Sequence, residues 1–532
     1  MLNAESKDGL PGSFPVADLK AGFLVFLIAL PLSLGIAMAS GFPPIAGVMT
    51  AIIGGMVVSF LGSARLTIKG PAAGLIVIAI GAVQELGQGD PTVGYRRALA
   101  VGVVAACVQL ALALLRTASI GVVMSPSVVH GMLAAIGVII ISKQAHTLVG
   151  VAPAAKEPLA LLLEIPHSIA QANPQILALG ILSLVILFGW PLIRSRWATA
   201  LPAPILVLAV SVPLSLWLGL DHSHDYQLLS HQFHVGPEFL VQLPGSLLQA
   251  LTFPDFSMVF TAVSLKYVVM YALVGTIEST LSVLAVDAMD PQRRPSNLNR
   301  DLFALSLGNL ASSLVGGLPM ISEIVRSKAN VDAGAQSRWA NFFHGTFLLI
   351  FVALAPGLLR EIPLAALAAM LVYTGTRLAS PRDLVHVKSI GIDQLVLFLC
   401  TLIVTLATDL LVGVATGIVL KVILHRLRGA TLRQLFGTRV ERSEEGSEVR
   451  LTLHGAAAFP SLIAVRRALA NLDPTCKRVV IDVSDVVVVD HTFLTRIEDL
   501  SNEWPTAKLE FVGIEQLKPH SVHPHSTRRR TA

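Results

Sequence analysis

The chain has 532 residues, 54% hydrophobic and 14% charged, with a mean hydropathy of +0.71. Soluble globular proteins carry roughly 25% charged residues, so a single water-soluble domain is excluded; 41 Gly and 30 Pro set in apolar sequence exclude a disordered or collagen-like chain as well. The net charge of +5 is the basic excess that cytosolic loops of a membrane protein carry, and it does not require nucleic acid.

Residues 1–20 are polar and lack the basic start and small-residue cleavage site of a secretory signal, so a cytosolic N-terminus is expected. A transmembrane domain is expected over 21–428. Its first span begins near Ala21, runs past Pro31 and ends at the Gly41-Phe42-Pro43-Pro44 turn. Apolar stretches follow at 45–62, 71–84, 98–115, 118–142, 174–193 and 201–220. A polar insert carrying His222, His224, His231 and His234 reads as a solvated loop. A second series lies at 262–287, 302–318, 320–332, 341–357, 363–378, 393–408 and 410–425. The two series are about seven spans each, 21–220 and 262–425. With the N-terminus inside, Arg65, Lys69, Arg116, Arg194, Arg196, Arg293, Arg294, Arg300, Lys328, Arg338, Arg377, Arg382 and Lys388 fall on the inner side. Arg96, Arg97, Lys143, Lys156 and Arg360 fall on the outer side. That bias predicts fourteen crossings with both termini cytoplasmic.

Beyond this the composition changes. Strand-like runs at 449–453, 478–483 and 508–512 alternate with helical spacing at 462–472 and 493–504, predicting a small cytosolic α/β domain over 438–515. The tail, 516–532, with three His and Arg528-Arg529-Arg530, reads as disordered. Cys107, Cys400 and Cys476 form no C-x-x-C pair, so neither a disulfide framework nor a metal site is indicated.

Pro71 and Pro319 stand at nearly the same place in the two series, each opening a segment too short to cross a bilayer comfortably. Short, Gly/Pro-interrupted segments at matching positions of two halves point to a transporter's binding site. Proline suits a first helical turn. Two helix N-termini facing one cavity would present dipole ends and free N–H donors to an anion. In Gly70-Pro71-Ala72-Ala73-Gly74 small side chains leave the backbone approachable, and after Pro319 the hydroxyl of Ser322 adds a donor.

These residues carry a resemblance. Pro31, the Gly41–Pro44 turn, Lys69-Gly70-Pro71, Glu278-Ser279-x-Leu281-Ser282 with Asp287, Asn299-Arg300-Asp301-Leu302 leading to Gly308-Asn309, and Gly316-Gly317-x-Pro319 with Arg326, Asn330 and Gly334 resemble the sulphate-permease (SulP) family along nearly the whole chain. The resemblance implies an inverted-repeat helical bundle, with a core domain of spans 1–4 and 8–11 moving against a gate domain. It also implies a substrate site between the starts of spans 3 and 10, a homodimer, and a cytosolic STAS domain. His491 stands where a phosphorylatable serine follows the aspartate in STAS domains of sporulation regulators. That disfavours a serine switch and favours a scaffold or partner-docking role over phosphorylation of Thr492.

An ionisable residue at membrane depth is functional by default. Glu278, with Ser282 one turn on, matches the acidic residue that family members use near the coupling cation. Arg326 matches the arginine that supplies positive field. Glu323 departs from the family's small residue, and an ion pair with Arg326 is expected there ahead of a coupling role. His130 reads as a packing residue and Asp409 as the cap of span 14.

The expected fold is thus an all-α polytopic membrane domain of about fourteen spans plus a small α/β STAS-like domain. The expected function is secondary active transport of a small inorganic oxyanion, bicarbonate or sulphate, by alternating access at the cytoplasmic (inner) membrane, coupled to Na+ or H+, with no other cofactor. Ala72, Ala73, Gly74, Ile321, Ser322, Glu323 and Arg326 are the expected anion site, and Glu278 with Ser282 the coupling-cation site. The alternatives are an anion channel or exchanger of the same fold, or a STAS-linked anion sensor. No Walker A, H-E-x-x-H or G-x-S-x-G pattern is present, so an enzyme is not expected.

Overall fold

The computed structural model describes residues 16–118, 124–155, 157–193, 201–228, 231–243, 249–469, 476–501 and 507–530. The first fifteen residues and the loop charges Lys156, Arg194 and Arg196 lie outside the described residues.

Helices of eight or more residues are numbered in chain order. The first half contains α1 (Val16–Ala39), α2 (Pro44–Leu61), strand β1 (Ile68–Pro71), α3 (Ala73–Gly87), α4 (Pro91–Leu114), α5 (Pro126–Leu148), α6 (Pro158–Ala170), α7 (Pro174–Leu192) and α8 (Ala203–Trp217). The hairpin β2 (His224–Leu228) and β3 (His231–Val235) separates it from the second half. There follow α9 (Ala262–Met289), α10 (Leu298–Val315), β4 (Met320–Glu323), α11 (Ile324–Asp332), α12 (Trp339–Leu354), α13 (Leu364–Leu378), α14 (Pro381–Ile390), α15 (Ile392–Ala407) and α16 (Leu410–Leu427). Seven of these helices are long and apolar enough to cross a bilayer. With α6 and the amphipathic α14 set aside, fourteen helical segments run through the described membrane domain.

Local chemistry places the helix ends. Pro91 occupies the first turn of α4 while the Asp90 carboxylate accepts from Thr92 N at 2.8 Å, and Asn297 caps α10 through Asn299 N and Arg300 N. At the far end of α10 the chain turns through Gly316, at φ +106°. Tight crossings need glycine too. A Cβ at Gly54 would lie 2.6 Å from the Lys69 carbonyl oxygen, so α2 and β1 touch only because that side chain is absent.

The helices pack mainly in two groups, α1–α4 with α9–α12 and α5, α7, α8 with α13, α15, α16. One correction concerns the two prolines. Pro71 ends β1 and Pro319 stands immediately before β4, so neither sits in a first helical turn. Each half-helix begins just beyond its strand, and the strands pair with each other across the two halves.

The C-terminal unit is a small α/β domain: β5 (Arg439–Glu445), β6 (Glu448–Ala457), α17 (Leu462–Leu469), β7 (Arg478–Val489), α18 (His491–Ser501) and β8 (Lys508–Val512). Strands β6, β7 and β8 are parallel, and β5 adds antiparallel to β6. Alternate apolar residues such as Leu451, Ile481 and Val483 meet Phe493 and Ile497 of α18 in one core. The expectation of a disordered tail is overturned. Within 516–532, Leu517–Pro519 and Arg528–Arg530 form β9 and β10, which pair with each other and, through β10, with β7. Low hydrophobicity misled here because β10 gains order by completing an existing sheet edge, not by burying apolar surface of its own.

Candidate functional site

The two extended segments cross in register, Ile68 opposite Glu323, Lys69 opposite Ser322, Gly70 opposite Ile321 and Pro71 opposite Met320. Directly opposed residues share a face of a pleated ribbon and their neighbours take the other. Ile321 and Glu323 face a cavity of about 1270 Å³ that lies between the two helix groups and reaches the α/β domain. Lys69 and Ser322 face away from it, into protein.

The cavity wall collects most of the expected site. Ala73 and Gly74 from the start of α3, Glu278 and Ser282 from α9, Ile321 and Glu323 from β4, and Arg326 from α11 all line it. Two expected residues do not. Ala72 is buried in the apolar core. The Ser322 hydroxyl is held behind the ribbon by Lys69 Nζ at 2.5 Å and Ser279 Oγ at 3.0 Å, so it is not offered to the cavity. The alternation of the strand decides this: a helix-based reading places Ser322 and Glu323 on neighbouring faces, a strand places them on opposite ones.

Glycines make room for the charges. A Cβ at Gly70 would lie 2.6 Å from Arg326 Nη1, and one at Gly74 would overlap the Glu278 carboxylate. Arg326 is 1% exposed and its Nη1 donates to Ser33 Oγ at 3.3 Å, while its Nε and Nη2 have no hydrogen-bond partner among the described residues. Both carboxylate oxygens of Glu278 and Oε1 of Glu323 likewise lack hydrogen-bond partners among the described residues. The ion pair expected between Glu323 and Arg326 is not formed. Arg326 runs back beneath Gly70 toward α1, and among the described residues no salt bridge joins it to Glu323. Neither Ala72 nor Glu323, the residues preceding the two half-helices, caps its helix with a side chain. The first-turn N–H groups of both are thus uncapped by side chains, and the dipoles of both begin at the ribbon.

Sequence reading assigned no role to what lies behind the ribbon. Lys69, counted there as an inner-loop charge, is 2% exposed and donates to Asp301 Oδ2 at 2.6 Å as well as to Ser322. Ser279 Oγ also accepts from Ser322 N at 3.2 Å. A residue of the first half is thereby tied to α9, α10 and β4 of the second. A lysine set between Leu66-Thr67-Ile68 and the small, uncharged Gly70-Pro71-Ala72-Ala73 was the available signal, since a charge buried there needs a partner.

Other singled-out residues fall elsewhere. His130 lines the cavity. Asp409 caps α16 through Val412 N at 2.9 Å and pairs with Lys266 at 3.4 Å. His222, His224, His231 and His234 sit on or beside the β2–β3 hairpin, with His234 paired to Asp225 at 2.7 Å. Thr492 is fully buried against Lys421, so its hydroxyl is not presented to a kinase. His491, pushed down to about 4 by burial, lines the cavity where it reaches the α/β domain.

Comparison with known proteins adds the lineage. The model of the sulfate permease family matches residues 16–403. The protein YvdB of Bacillus subtilis (strain 168) is 24% identical over 515 residues, covering 95% of this chain and 93% of its own. The bicarbonate transporter BicA of Synechocystis sp. (strain ATCC 27184 / PCC 6803 / Kazusa) is 24% identical over 502 residues, covering 91% and 86%. Among solved structures, the transmembrane domain of a cyanobacterial bicarbonate transporter BicA superposes with a TM-score of 0.62 at 24% identity, covering 75% of this chain and 97% of that one. SLC26A9 superposes with a TM-score of 0.67 at 14% identity, covering 94% and 84%. At these identities the structural likeness speaks for the fold.

Proposed function

The chain belongs to the sulfate permease family, and from that premise we propose that it is a secondary active transporter of a small inorganic oxyanion, bicarbonate or sulphate. The family is one of membrane transporters, not enzymes. The observation that carries the reading is the wall of the cavity: a buried arginine with unpartnered donors beside two half-helix N-termini. An anion leaving water loses several kcal/mol of hydration. Backbone N–H groups at helix starts and the Arg326 guanidinium replace that shell without a mobile cation. Recognition through backbone donors selects size and charge, which suits a compact oxyanion.

Glu278 is the group that binds the coupling ion, H+ or Na+. Its carboxylate shares the cavity with Arg326, has no hydrogen-bond partner among the described residues, and lies against Gly74 at the start of α3. A cation there offsets a charge that would otherwise oppose the anion, so the two are taken up together. The core group, α1–α4 with α9–α12, moves against the remaining helices to expose the site to each side in turn. Its cavity reaches the α/β domain, which we read as a cytosolic STAS domain, so this is the inward-facing arrangement with both termini cytoplasmic. We place the protein in the inner membrane as a homodimer.

The test is uptake of labelled bicarbonate, sulphate and succinate into proteoliposomes under imposed H+ or Na+ gradients. Concentrative uptake of one oxyanion driven by one gradient is the expected result. Flux that only equilibrates, with a reversal potential set by the anion, would show a channel instead.

A further inference from the structure

The C-terminal segment that sequence reading left unstructured is built around histidines. Between β9 and β10 the chain makes a compact turn: His520 N donates to Thr527 O at 3.0 Å, Ser526 N to His523 O at 2.9 Å, and Ser526 Oγ to Ser521 O at 3.1 Å. The turn is fastened to the membrane domain at two points. Ser521 Oγ donates to the Ile390 carbonyl, the last residue of α14, at 2.6 Å. Thr527 Oγ1 donates to Asp393 Oδ2 at the start of α15 at 3.1 Å, and Arg428 pairs with the same carboxylate at 2.8 Å.

One hydrogen bond in this turn has a protonation state written into it. The backbone N–H of His525 points at Nδ1 of His523, 3.2 Å away. A backbone N–H can only donate, so Nδ1 must carry a lone pair, and the His523 ring must be neutral. Protonation at Nδ1 would set two donors against each other and remove the bond. The surroundings oppose the charged ring as well. His386 of α14 lies 6.2 Å from the His523 ring and His525 of the same turn 5.7 Å. From α18, His491 Nδ1 bonds the His525 carbonyl at 3.0 Å, and Glu498 pairs with His525 Nε2 at 2.6 Å. Arg496 and Asp499 of α18 line the same end of the cavity. Together these groups place one carboxylate on His525 and none on His523.

We infer that residues 517–530 form a pH-sensitive latch, holding the α/β domain to the ends of α14 and α15 while His523 is neutral and releasing them when it is protonated. The latch sits where release matters, because His386, His491, His523 and His525 all line the end of the cavity that meets the α/β domain. Burial, then His525 and His386, hold the His523 imidazole below the ordinary histidine range. The sign follows. The released turn binds a proton more readily than the docked one, so docking is full above about pH 6.5 and is lost as pH falls below it. His491, pushed down to about 4, stays neutral across that window and is not the sensor.

The experiment is amide hydrogen exchange on the full-length protein in detergent or nanodiscs, at pH 7.5 and 5.5, corrected for intrinsic rates. Wild type should lose protection of residues 520–528 by up to about tenfold on acidification, the ceiling that one-proton linkage to a released histidine sets over this window. His523→Asn keeps an acceptor at the position of Nδ1 but cannot titrate, and it should hold its protection at both pH values. His523→Leu removes the acceptor and should be unprotected at both. Protection in wild type that does not change with pH overturns the latch. A His523→Asn protein that responds to pH as wild type does also overturns it, moving the titration to another group.

Discussion

Gly74 and Glu278 are in contact through an absent side chain: any Cβ at Gly74 would occupy the volume of the Glu278 carboxylate. The start of one half-helix is therefore shaped around a buried acid of the other repeat. Gly74→Ala should displace that carboxylate and reproduce the defect of Glu278→Gln. For both, gradient-driven accumulation should fall by more than about tenfold, some 1.4 kcal/mol of coupling, while the folded bundle survives. The double variant should be no worse than either single one, because both act on one interaction. Additive losses in proteoliposome uptake would separate the two residues.

Glu323 shares its cavity with Arg326 but does not pair with it, so its charge acts on whatever anion settles there. Two unit charges about 10 Å apart at an effective dielectric of about 20 interact by about 1.7 kcal/mol. Glu323→Gln should tighten anion binding by about tenfold, and Arg326→Gln should weaken it at least as much. Isothermal titration of the two variants with sulphate and bicarbonate checks both signs. Weakening by Glu323→Gln would show that the carboxyl takes part in holding the anion.

Behind the ribbon, Lys69→Met leaves Asp301 buried without its 2.6 Å partner. Breaking a buried pair on one side costs about 3–5 kcal/mol, whereas replacing both partners by apolar groups is often neutral. Lys69→Met should lower the temperature of half-inactivation in detergent, and adding Asp301→Leu should recover much of the loss. No recovery in the double variant would mean that Lys69 acts through Ser322 rather than Asp301.

The junction with the α/β domain rests on Asp490, buried against Lys421 at 3.0 Å and His425 at 3.3 Å. Burial pushes its carboxyl up, but Lys421, His425 and the Phe493 N–H outweigh that and hold it well below the usual carboxylate range. A depressed carboxyl contributes its stability at every pH above about 4 and loses it only as pH falls further. Asp490→Asn should therefore loosen the junction equally at pH 7 and pH 8, above the range in which the latch opens, by about 3–5 kcal/mol, read as faster proteolysis of the segment between α16 and β5. A protease sensitivity of Asp490→Asn that differed between pH 7 and pH 8 would mean that another titrating group carries the junction.

Much of this was open to reading from the amino acids alone. Hydrophobic runs of about 20 residues mark spans because a bilayer core has one thickness, and fourteen segments in two series follow from that. The matched prolines located the half-helices within a few residues, and Glu278 and Arg326 stood out because a charge at membrane depth needs a reason. The α/β alternation after residue 438 was equally plain, since strand and helix periods differ.

The tertiary structure decided what periodicity cannot carry. That Lys69 faces Asp301, and that Ser322 turns its hydroxyl from the cavity, depend on two strands far apart in the chain meeting in one register. A shift of one residue in that register would exchange every side chain between cavity and core. The tail was misjudged for the same reason: Arg528–Arg530 is ordered by the unpaired edge of β7, a partner that no local window contains. Composition and period are properties of a segment and can be read from it, but a buried charge, an ion pair or a sheet edge is a property of two segments, and only their meeting in space determines it.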